Sequence, residues 1–257
     1  MSLLEVDNLR VTFGGVAAVD CVSFSVEEQS LVGLIGPNGA GKTTCIEALT
    51  GYLPQATGLV RFLGHDLTGV PPHRRAHLGL ARTFQSVELF DDLTVRENLR
   101  AAANRRTVWQ SLRDLVAPRW HNDECVIDRA LDVVGLADAA DALPTELSQG
   151  QRKLAGVARA LACRPRLLLL DEPAAGLDAT ETLALGGRLR DVVDDGVSIL
   201  LVDHDMGLVL GTCDQIVVLD FGRVLSTGTP DRVRNDERVL AAYLGDDVVG
   251  SGEGRTS

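Results

Sequence analysis

Hydrophobic and polar positions alternate with a period of two through much of the first third of the chain. This alternation, together with the β-branched residues, predicts strands in this part. One stretch, LVGLIG, is apolar on both faces, which is typical of a buried strand in a parallel sheet. PHRRAHLG has proline at its start and glycine at its end, and it predicts a short helix. The other predicted strands are LLEVDNLRVTF, VSFSV, GLVRFLG and LARTFQ.

The pattern becomes helical between about Thr94 and Cys163, for example in TVRENLRAAANRR and DECVIDRALDVVGL. It becomes sheet-like again from Arg166, where RLLLLDE, VSILLVDHD and DQIVVLDFGRVLSTGTP predict strands around the helix TETLALGGRLRDVVDD. We therefore expect an α/β core, residues 1–93 and 164–245, interrupted by a helical subdomain over about 94–163. Residues 246–257 are rich in glycine and serine, so we expect a disordered tail there.

Composition narrows the class of protein. Acidic residues outnumber basic ones by 36 to 25 and give a net charge of -11, which argues against broad nucleic-acid binding. No apolar run approaches the roughly 20 residues of a membrane span, and MSLLEVDNLRV lacks the features of a secretory signal. The five cysteines are scattered and never in CxxC spacing, so we expect reduced thiols in a cytoplasmic protein.

The stretch GPNGAGKTT, Gly36 to Thr44, fits the phosphate-binding pattern G-x-x-x-x-G-K-[ST]. Glycines let successive backbone N–H groups turn inward around an anion, and the following helix adds the positive end of its dipole. Lys42 is expected to reach the β- and γ-phosphates, and the Thr43 hydroxyl to ligate Mg²⁺. The residues predicted to bind the nucleotide here are Gly36, Pro37, Asn38, Gly39, Ala40, Gly41, Lys42, Thr43 and Thr44.

Two carboxylates follow the apolar run of RLLLLDEPAAGLD. A buried strand that ends in Asp171 and Glu172 would deliver them to the carboxyl edge of a parallel sheet, beside the phosphate site. We expect Asp171 to hold Mg²⁺ through water and Glu172 to polarise the attacking water. A phosphate loop alone leaves a kinase, a GTPase and a motor open, and an acidic turn after a core strand has a simple structural explanation as well.

A third motif, LSQGQ, precedes the helix QRKLAGVARALA and comes some twenty residues before the acidic strand end. Taken alone, Ser148 and Gly150 are also an ordinary helix start. In this order of motifs the chain closely resembles the ATP-binding-cassette (ABC) ATPases, whose signature reads LSGGQ. Ser148, Gly150 and Gln151 match that signature, and Gln149 departs from it.

The resemblance covers nearly the whole chain and implies further roles. Phe13 matches the aromatic residue that stacks on adenine, Gln85 the glutamine loop that senses the γ-phosphate and Mg²⁺, and Asp178 the D-loop. His204 matches the switch histidine, and it follows Asp203 where the family commonly has glutamate. The implied catalytic residues are Glu172 as general base, His204 and Gln85. The implied fold is a P-loop NTPase core, with a mixed sheet flanked by helices, an antiparallel β subdomain and the helical insert.

In this family the signature of one subunit covers the ATP held by the phosphate loop of the other, so two Mg-ATP join two subunits head to tail. Three stretches resemble the ATPases of branched-chain amino-acid importers and their urea and amide relatives: FGGVAAVDCVSFSV, GLARTFQSVELFDDLTVRENL and HDMGLVLGTCDQIVVLDFGRVLSTGTPDRVRNDERVLAAYLG. The resemblance implies a second ATPase subunit, identical or paralogous, separate membrane permeases and, indirectly, a solute-binding protein. It places the chain on the cytoplasmic side of the membrane as a peripheral subunit.

Two further surfaces have alternative interpretations. Val87, Leu89, Phe90 and Leu93 would form a docking groove for a permease helix, or pack the insert on the core. The six arginines from Arg96 to Arg119 would face anionic lipid or the permease, or form a solvated helix face.

The competing functions are an ABC ATPase of DNA repair or translation, uncoupled from transport, and a kinase. Repair members carry coiled coils between phosphate loop and signature, and this interval has no sustained heptads. Translation members usually hold two cassettes in one chain, and a kinase would have no use for LSQGQ or His204.

Overall fold

The structure is a computed structural model that describes residues 2–83, 89–103 and 120–250, with backbone alone for 120–123 and 244–250. Its strands are β1 Ser2–Phe13, β2 Val16–Glu27, β3 Leu31–Ile35, β4 Thr57–Phe62, β5 His65–Asp66, β6 Leu80–Arg82, β7 Leu167–Asp171, β8 Ser198–Val202, β9 Gln215–Asp220 and β10 Arg223–Gly228. Its α-helices are α1 Lys42–Thr50, α2 Pro72–Leu78, α3 Val95–Ala103, α4 Trp120–Val134, α5 Gln149–Leu161, α6 Ala179–Asp194, α7 Met206–Thr212, α8 Pro230–Arg234 and α9 Glu237–Gly250.

The strands form two sheets. A mixed sheet has the order β10-β9-β3-β8-β7-β6, in which β10 runs antiparallel to β9 and the other neighbours are parallel. A separate antiparallel sheet has the order β2-β1-β4-β5. The predicted fold class, a mixed sheet with helices and an antiparallel β subdomain, is therefore confirmed.

Burial on both faces explains why β7 is a run of leucines. Successive side chains of a strand point to opposite faces of its sheet. Leu167 and Leu169 accordingly enter the hydrophobic core shared with α1 and the antiparallel sheet. Leu168 and Leu170 enter the core on the opposite face, with α3 to α7. A polar residue is tolerated only where the strand ends, at Asp171.

The helical insert consists of α3, α4 and α5, which pack on one another, and α4 and α5 also contact α6 of the core. Short 3-10 helices at Ala137–Ala139 and Pro144–Glu146 lead into α5. The insert matches the helical segment predicted between about 94 and 163. Its exact boundaries remain a prediction.

Acidic residues of α4 neutralise the described part of the arginine cluster. Arg96 binds Asp128 at 2.6 Å, and Arg100 binds Glu124 at 2.6 Å. The hydrogen bond from Arg100 holds the pKa of Glu124 below its usual value. These pairs favour a solvated, ion-paired helix face at this end of the cluster. Arg105, Arg106, Arg113 and Arg119 lie outside the described residues.

The last helix extends beyond the predicted end of the folded domain. α9 continues to Gly250, past the boundary expected at residue 245. A glycine within a helix costs only about 1 kcal/mol relative to alanine, so Gly245 alone does not end it. Residues 246–250 of the predicted tail thus belong to α9, and residues 251–257 lie outside the described part, so for them the disordered tail stays a prediction.

Arg75 is a buried cation that the sequence did not single out. Its guanidinium donates to the carbonyl oxygens of Ala48 and Leu49 at the end of α1, and to those of Leu67 and Val70. The last carbonyl groups of a helix lack intrahelical partners, and Arg75 supplies them. It thereby holds the far end of the helix that follows the phosphate loop.

The cysteines differ sharply in accessibility. Cys21 and Cys125 are exposed, whereas Cys45 and Cys213 are buried. Burial raises the pKa of the Cys45 thiol to about 12, and mainly burial raises that of Cys213 to about 12 as well. Both thiols therefore stay protonated and weakly nucleophilic at pH 8.

We expect a disulfide reagent such as Ellman's reagent to label Cys21 and Cys125 at pH 8 at least about 100-fold faster than Cys45 and Cys213, because the thiolate is the attacking species. The measurement is labelling with time, followed by peptide mapping. Unfolding in urea should make all of these cysteines reactive. Labelling of Cys45 in the folded chain at the rate of Cys21 would contradict the burial described here.

Candidate functional site

The phosphate-binding motif forms a tight loop between β3 and α1. Its glycines adopt left-handed backbone angles, with φ of 78° at Gly39 and 99° at Gly41. Among the described residues, no side chain caps α1, which begins directly after Gly41, and no acidic residue lies in its first turn. The positive end of the helix dipole therefore faces the loop without a competing carboxylate, as an anion site requires.

Two of the glycines lie against the main chain of other elements. A Cβ at Gly36 would lie 2.1 Å from the carbonyl oxygen of Leu219, and a Cβ at Gly41 would lie 2.3 Å from that of Ala18. In addition, the Gly222 N–H donates to the carbonyl oxygen of Ala40. The loop is thus wedged between β2 of the antiparallel sheet and the β9–β10 turn of the central sheet.

Lys42 is buried, and its ammonium group donates to the carbonyl oxygens of Gly36 at 2.7 Å and Pro37 at 2.9 Å. The side chain therefore folds back over the loop, where it is held beside any phosphate the loop binds. Thr43 is exposed in the first turn of α1, and Thr44 is half-buried.

The carboxylate of Asp171 is buried at the end of β7 and pairs with Arg82. The Arg82 Nη2 to Asp171 Oδ2 distance is 2.8 Å, and the two side chains are only 10% and 3% exposed. Sequence reasoning predicted Asp171 but missed Arg82, although the arginine stands in the quoted stretch ARTFQ. The available signal was a charged residue within the predicted strand LARTFQ.

Glu172 turns away from the strand. Its φ of 50° lies in the left-handed region, which costs a residue with a Cβ about 1–3 kcal/mol. Its N–H nevertheless donates to the carbonyl oxygen of Val202 on β8 at 2.7 Å, which anchors the turn. Because the backbone turns sharply at Glu172, the carboxylates of Asp171 and Glu172 point in different directions.

His204 lies in the loop after β8, and its side chain is 61% exposed. The fully buried carboxylate of the preceding Asp203 organises this loop. It accepts the N–H groups of His204 at 2.8 Å, Asp205 at 3.0 Å and Ala174 at 3.0 Å. Asp203 thereby ties the histidine loop to the loop that follows Glu172, a role that the sequence did not reveal.

The signature residues form the start of α5. Ser148 Oγ accepts the N–H of Gln151 at 3.2 Å, and Gln151 Oε1 accepts the N–H of Ser148 at 2.9 Å. This reciprocal arrangement is a capping box. Glu181 Oε1 lies at the same helix end, where it accepts the Gly150 N–H at 3.2 Å. In the part of the chain that the structure describes, the signature thus makes its hydrogen bonds outside α5 to Glu181 of α6.

Asp178 caps α6, and Gln149 lies against the loop that leads into this helix. Asp178 Oδ1 caps α6 by accepting the N–H of Glu181 at 2.8 Å. Gln149, the departure from LSGGQ, lies against Gly176, since a Cβ there would meet its Nε2 at 2.5 Å. The departure is therefore accommodated by a glycine in the loop before Asp178.

Phe13 lies at the end of β1, where it pairs with Val16 across the hairpin, and it is 47% exposed. The hairpin also carries Ala18, whose carbonyl oxygen packs on Gly41, so Phe13 lies near the phosphate loop. Gln85 lies outside the described residues, which resume at residue 89. Its predicted roles stay predictions.

The donor set of the site suits magnesium held together with phosphates. Among the described residues, no three His, Cys, Asp or Glu side chains group to hold a metal ion. Magnesium is commonly bound by one or two carboxylates, substrate phosphates and waters, so a cage of protein ligands is not needed. The Asp171 carboxylate and the Thr43 hydroxyl supply donors of the right chemistry beside an anion loop.

Comparison with known proteins identifies the family. The family model described as ABC transporter matches residues 19–175, more than half of the chain. The chain belongs to the ATP-binding cassettes of ABC transporters. It is therefore a nucleotide-binding ATPase of that family.

A second model, described as branched-chain amino acid ATP-binding cassette transporter, matches residues 223–249 of this cassette. The cassette is 41% identical to the high-affinity branched-chain amino acid transport ATP-binding protein BraF of Pseudomonas aeruginosa, over 95% of this chain and 98% of that protein. It is 35% identical to the lipopolysaccharide export system ATP-binding protein LptB of Haemophilus influenzae, over 96% and 98%. The ADP conformation of MJ1267, an ATP-binding cassette of an ABC transporter, matches with a TM-score of 0.83 and 29% identity, over 95% of this chain and 99% of that one.

We expect Gly41→Ala to destabilise the cassette by about 3 kcal/mol or more, because the new Cβ would overlap the Ala18 carbonyl oxygen in addition to opposing a left-handed φ. Gly39→Ala is the matched control. It also has a positive φ but nothing within 4 Å of the new Cβ, so it should cost only about 1–2 kcal/mol. Urea unfolding of both variants provides the measurement, and equal losses would refute the wedge.

Proposed function

We propose that this chain is the ATP-hydrolysing subunit of an ABC importer for branched-chain or related amino acids. Two cassettes, identical or paralogous, would close head to tail around two Mg-ATP and drive transport through separate permease subunits at the cytoplasmic face of the membrane. The observation that carries the proposal is the set of groups at the carboxyl edge of the central sheet: the glycine loop with Lys42, the buried Asp171 and the sharply turned Glu172. Within the described residues, no helix is long and apolar enough to cross a bilayer.

Each group has a physical role in hydrolysis. The N–H groups of the loop and the start of α1 bind phosphate oxygens, and the Lys42 ammonium neutralises their charge. Magnesium would supply further neutralisation of the charge that develops on the phosphates. Asp171 and Thr43 would hold it, with Gln85 as a further predicted ligand. Glu172 accepts the proton of the attacking water, and His204 contacts the γ-phosphate and orders that water.

The start of α5 supports the two-subunit arrangement. Ser148 is exposed there, and Gly150 brings the main chain within reach of an anion. This helix belongs to the insert, and its Ser148 end contacts α6 of its own chain, whereas the phosphate loop contacts β2 and the β9–β10 turn. The start of α5 is thus available to a nucleotide that is bound to another subunit. Phe13 and Asp178 would also border the nucleotide between the two subunits.

The solute assignment depends on likeness to transporter subunits. BraF supports an amino acid, whereas LptB shows that comparable identity extends to an ATPase of an export system. The match over residues 223–249 to the branched-chain amino acid model supports an amino acid as the solute. Since these relatives are transporter subunits, an ATPase uncoupled from transport is not favoured.

A groove between the core and the insert suits a permease helix. It has a volume of about 540 Å³ and is bordered by α2 and β6 on one side and by α3 and α5 on the other. The turn that precedes α3 in the chain is held by the buried Asn98. Asn98 Oδ1 accepts the Phe90 N–H, and Asn98 Nδ2 donates to the Phe90 carbonyl oxygen. Phe90 is 56% exposed on that turn, as an anchor for a partner would be. Leu89 and Leu93 are partly buried, and Val87 lies outside the described residues.

We expect Glu172→Gln to lower ATP turnover by at least about 100-fold, because the amide cannot accept the proton of water. ATP binding should persist, and the variant should accumulate as an ATP-bound dimer. Phosphate release and size-exclusion chromatography with and without Mg-ATP measure the two effects. Full turnover in this variant would exclude Glu172 as the base.

Adding Ser148→Arg to Glu172→Gln tests the arrangement of the dimer. The bulky cation should abolish the ATP-dependent dimer while nucleotide still binds each monomer through the phosphate loop. A dimer that forms as well as before would show that the signature does not cover the nucleotide.

We expect a cysteine at position 90 to crosslink to the permease in assembled transporter, because Phe90 is an exposed apolar side chain on the turn before α3. The background is a chain in which the exposed Cys21 and Cys125 are replaced by serine. Leu63→Cys, on the antiparallel sheet, is the control and should not crosslink. Absence of crosslinks from position 90 in every nucleotide state would argue against docking at this turn.

A further inference from the structure

The geometry of two neighbouring strands brings Arg82 to Asp171. β6 and β7 are parallel, and Arg82 stands opposite Leu169 in their register. Asp171 follows Leu169 by two residues, so its side chain leaves β7 on the same face. That face packs against α1, the helix that carries Lys42 and Thr43. The ion pair thus lies on the side of the sheet that bears the phosphate loop.

The stability of the fold does not by itself explain the ion pair between Arg82 and Asp171. Withdrawing two charges from water costs about as much as their attraction returns, and well-packed apolar residues often serve as well. Asp171, however, is also the carboxylate expected to serve a magnesium ion. The Arg82 guanidinium already lies at hydrogen-bond distance from it, 2.8 Å, so a magnesium ion would meet a carboxylate that is paired with another cation.

We propose that Arg82 is the permanent ion-pair partner of Asp171 and that its positive charge lowers the magnesium affinity of the site. This inference rests on the proposed function, in which Asp171 serves magnesium through water. The guanidinium and the metal ion are two cations that use one carboxylate. Arg82 holds the Asp171 carboxylate in place, and its own positive charge weakens magnesium binding. Arg82 is a positioning residue, since it acts on the metal through Asp171.

The test measures magnesium binding rather than turnover. A fluorescent ADP analogue is bound to the folded chain in EDTA, and Mg²⁺ is then titrated while nucleotide affinity is followed. We expect Arg82→Gln to bind magnesium about five- to tenfold more tightly than the parent chain, because a unit charge near a divalent ion has been removed. Affinity for the analogue in EDTA should be unchanged.

Thermal unfolding gives a second readout. Arg82→Gln leaves a buried carboxylate without its ion-pair partner, so its melting temperature in EDTA should fall. Mg-ADP should then raise that temperature by more than it does in the parent chain, because the ion restores a cation to Asp171. A purely structural role for Arg82 would lower the melting temperature without increasing this ligand-dependent shift.

Two variants serve as controls. Arg82→Lys keeps the charge and should retain the parent magnesium affinity. Arg166→Gln removes an exposed arginine just before the other end of β7, and it should leave magnesium affinity unchanged. If Arg82→Gln does not fold, the double variant with Asp171→Asn should fold, because the unpaired charge is then removed as well. Failure of that double variant to recover folding would overturn the ion-pair assignment.

The outcomes separate this inference from the proposed function. Equal or weaker magnesium binding by folded Arg82→Gln would overturn the role of Arg82 while leaving the ATPase assignment intact. A parent chain that binds no nucleotide, or whose nucleotide binding ignores magnesium, would instead overturn the proposed function and this inference with it.

Discussion

Burial of the central parallel strands on both faces determines where the polar groups of the site lie. Side chains within β3, β7 and β8 are enclosed by two cores, so charged groups are tolerated only where the strands end. Parallel strands end at one edge of the sheet, and that edge receives the phosphate loop after β3, Asp171 at the end of β7 and His204 after β8. The location of the chemistry is thus a consequence of core packing.

Many charged groups of this edge already have partners within the chain. The ammonium of Lys42 contacts loop carbonyl groups and Asp171 contacts Arg82; away from this edge, the start of α5 contacts Glu181 in the same way. Such contacts hold the groups in defined places, which lowers the conformational cost of binding. Binding of a charged ligand therefore exchanges partners at these groups, and its net free energy is smaller than the new contacts alone suggest.

Local signals predicted much of this arrangement. The glycine loop, the run of leucines before Asp171 and the proline-to-glycine helix at α2 are each encoded within a few neighbouring residues, and the structure contains all of these elements. Arg75, Arg82, Asp203 and Glu181 each have at least one partner that is distant along the chain, and the sequence near them does not identify that partner. Glycine content gives only a weak signal for where a helix ends, and α9 continues through Gly245 to Gly250.

The wedged position of Gly36 and Gly41 has a consequence for genetics. A side chain at either position would disturb the junction of the two sheets, so such an allele would yield little folded protein and behave as recessive. A substitution at Lys42 that preserves its length would spare that junction. In the proposed two-subunit arrangement, its product would still take a place beside normal subunits, so that allele would be dominant.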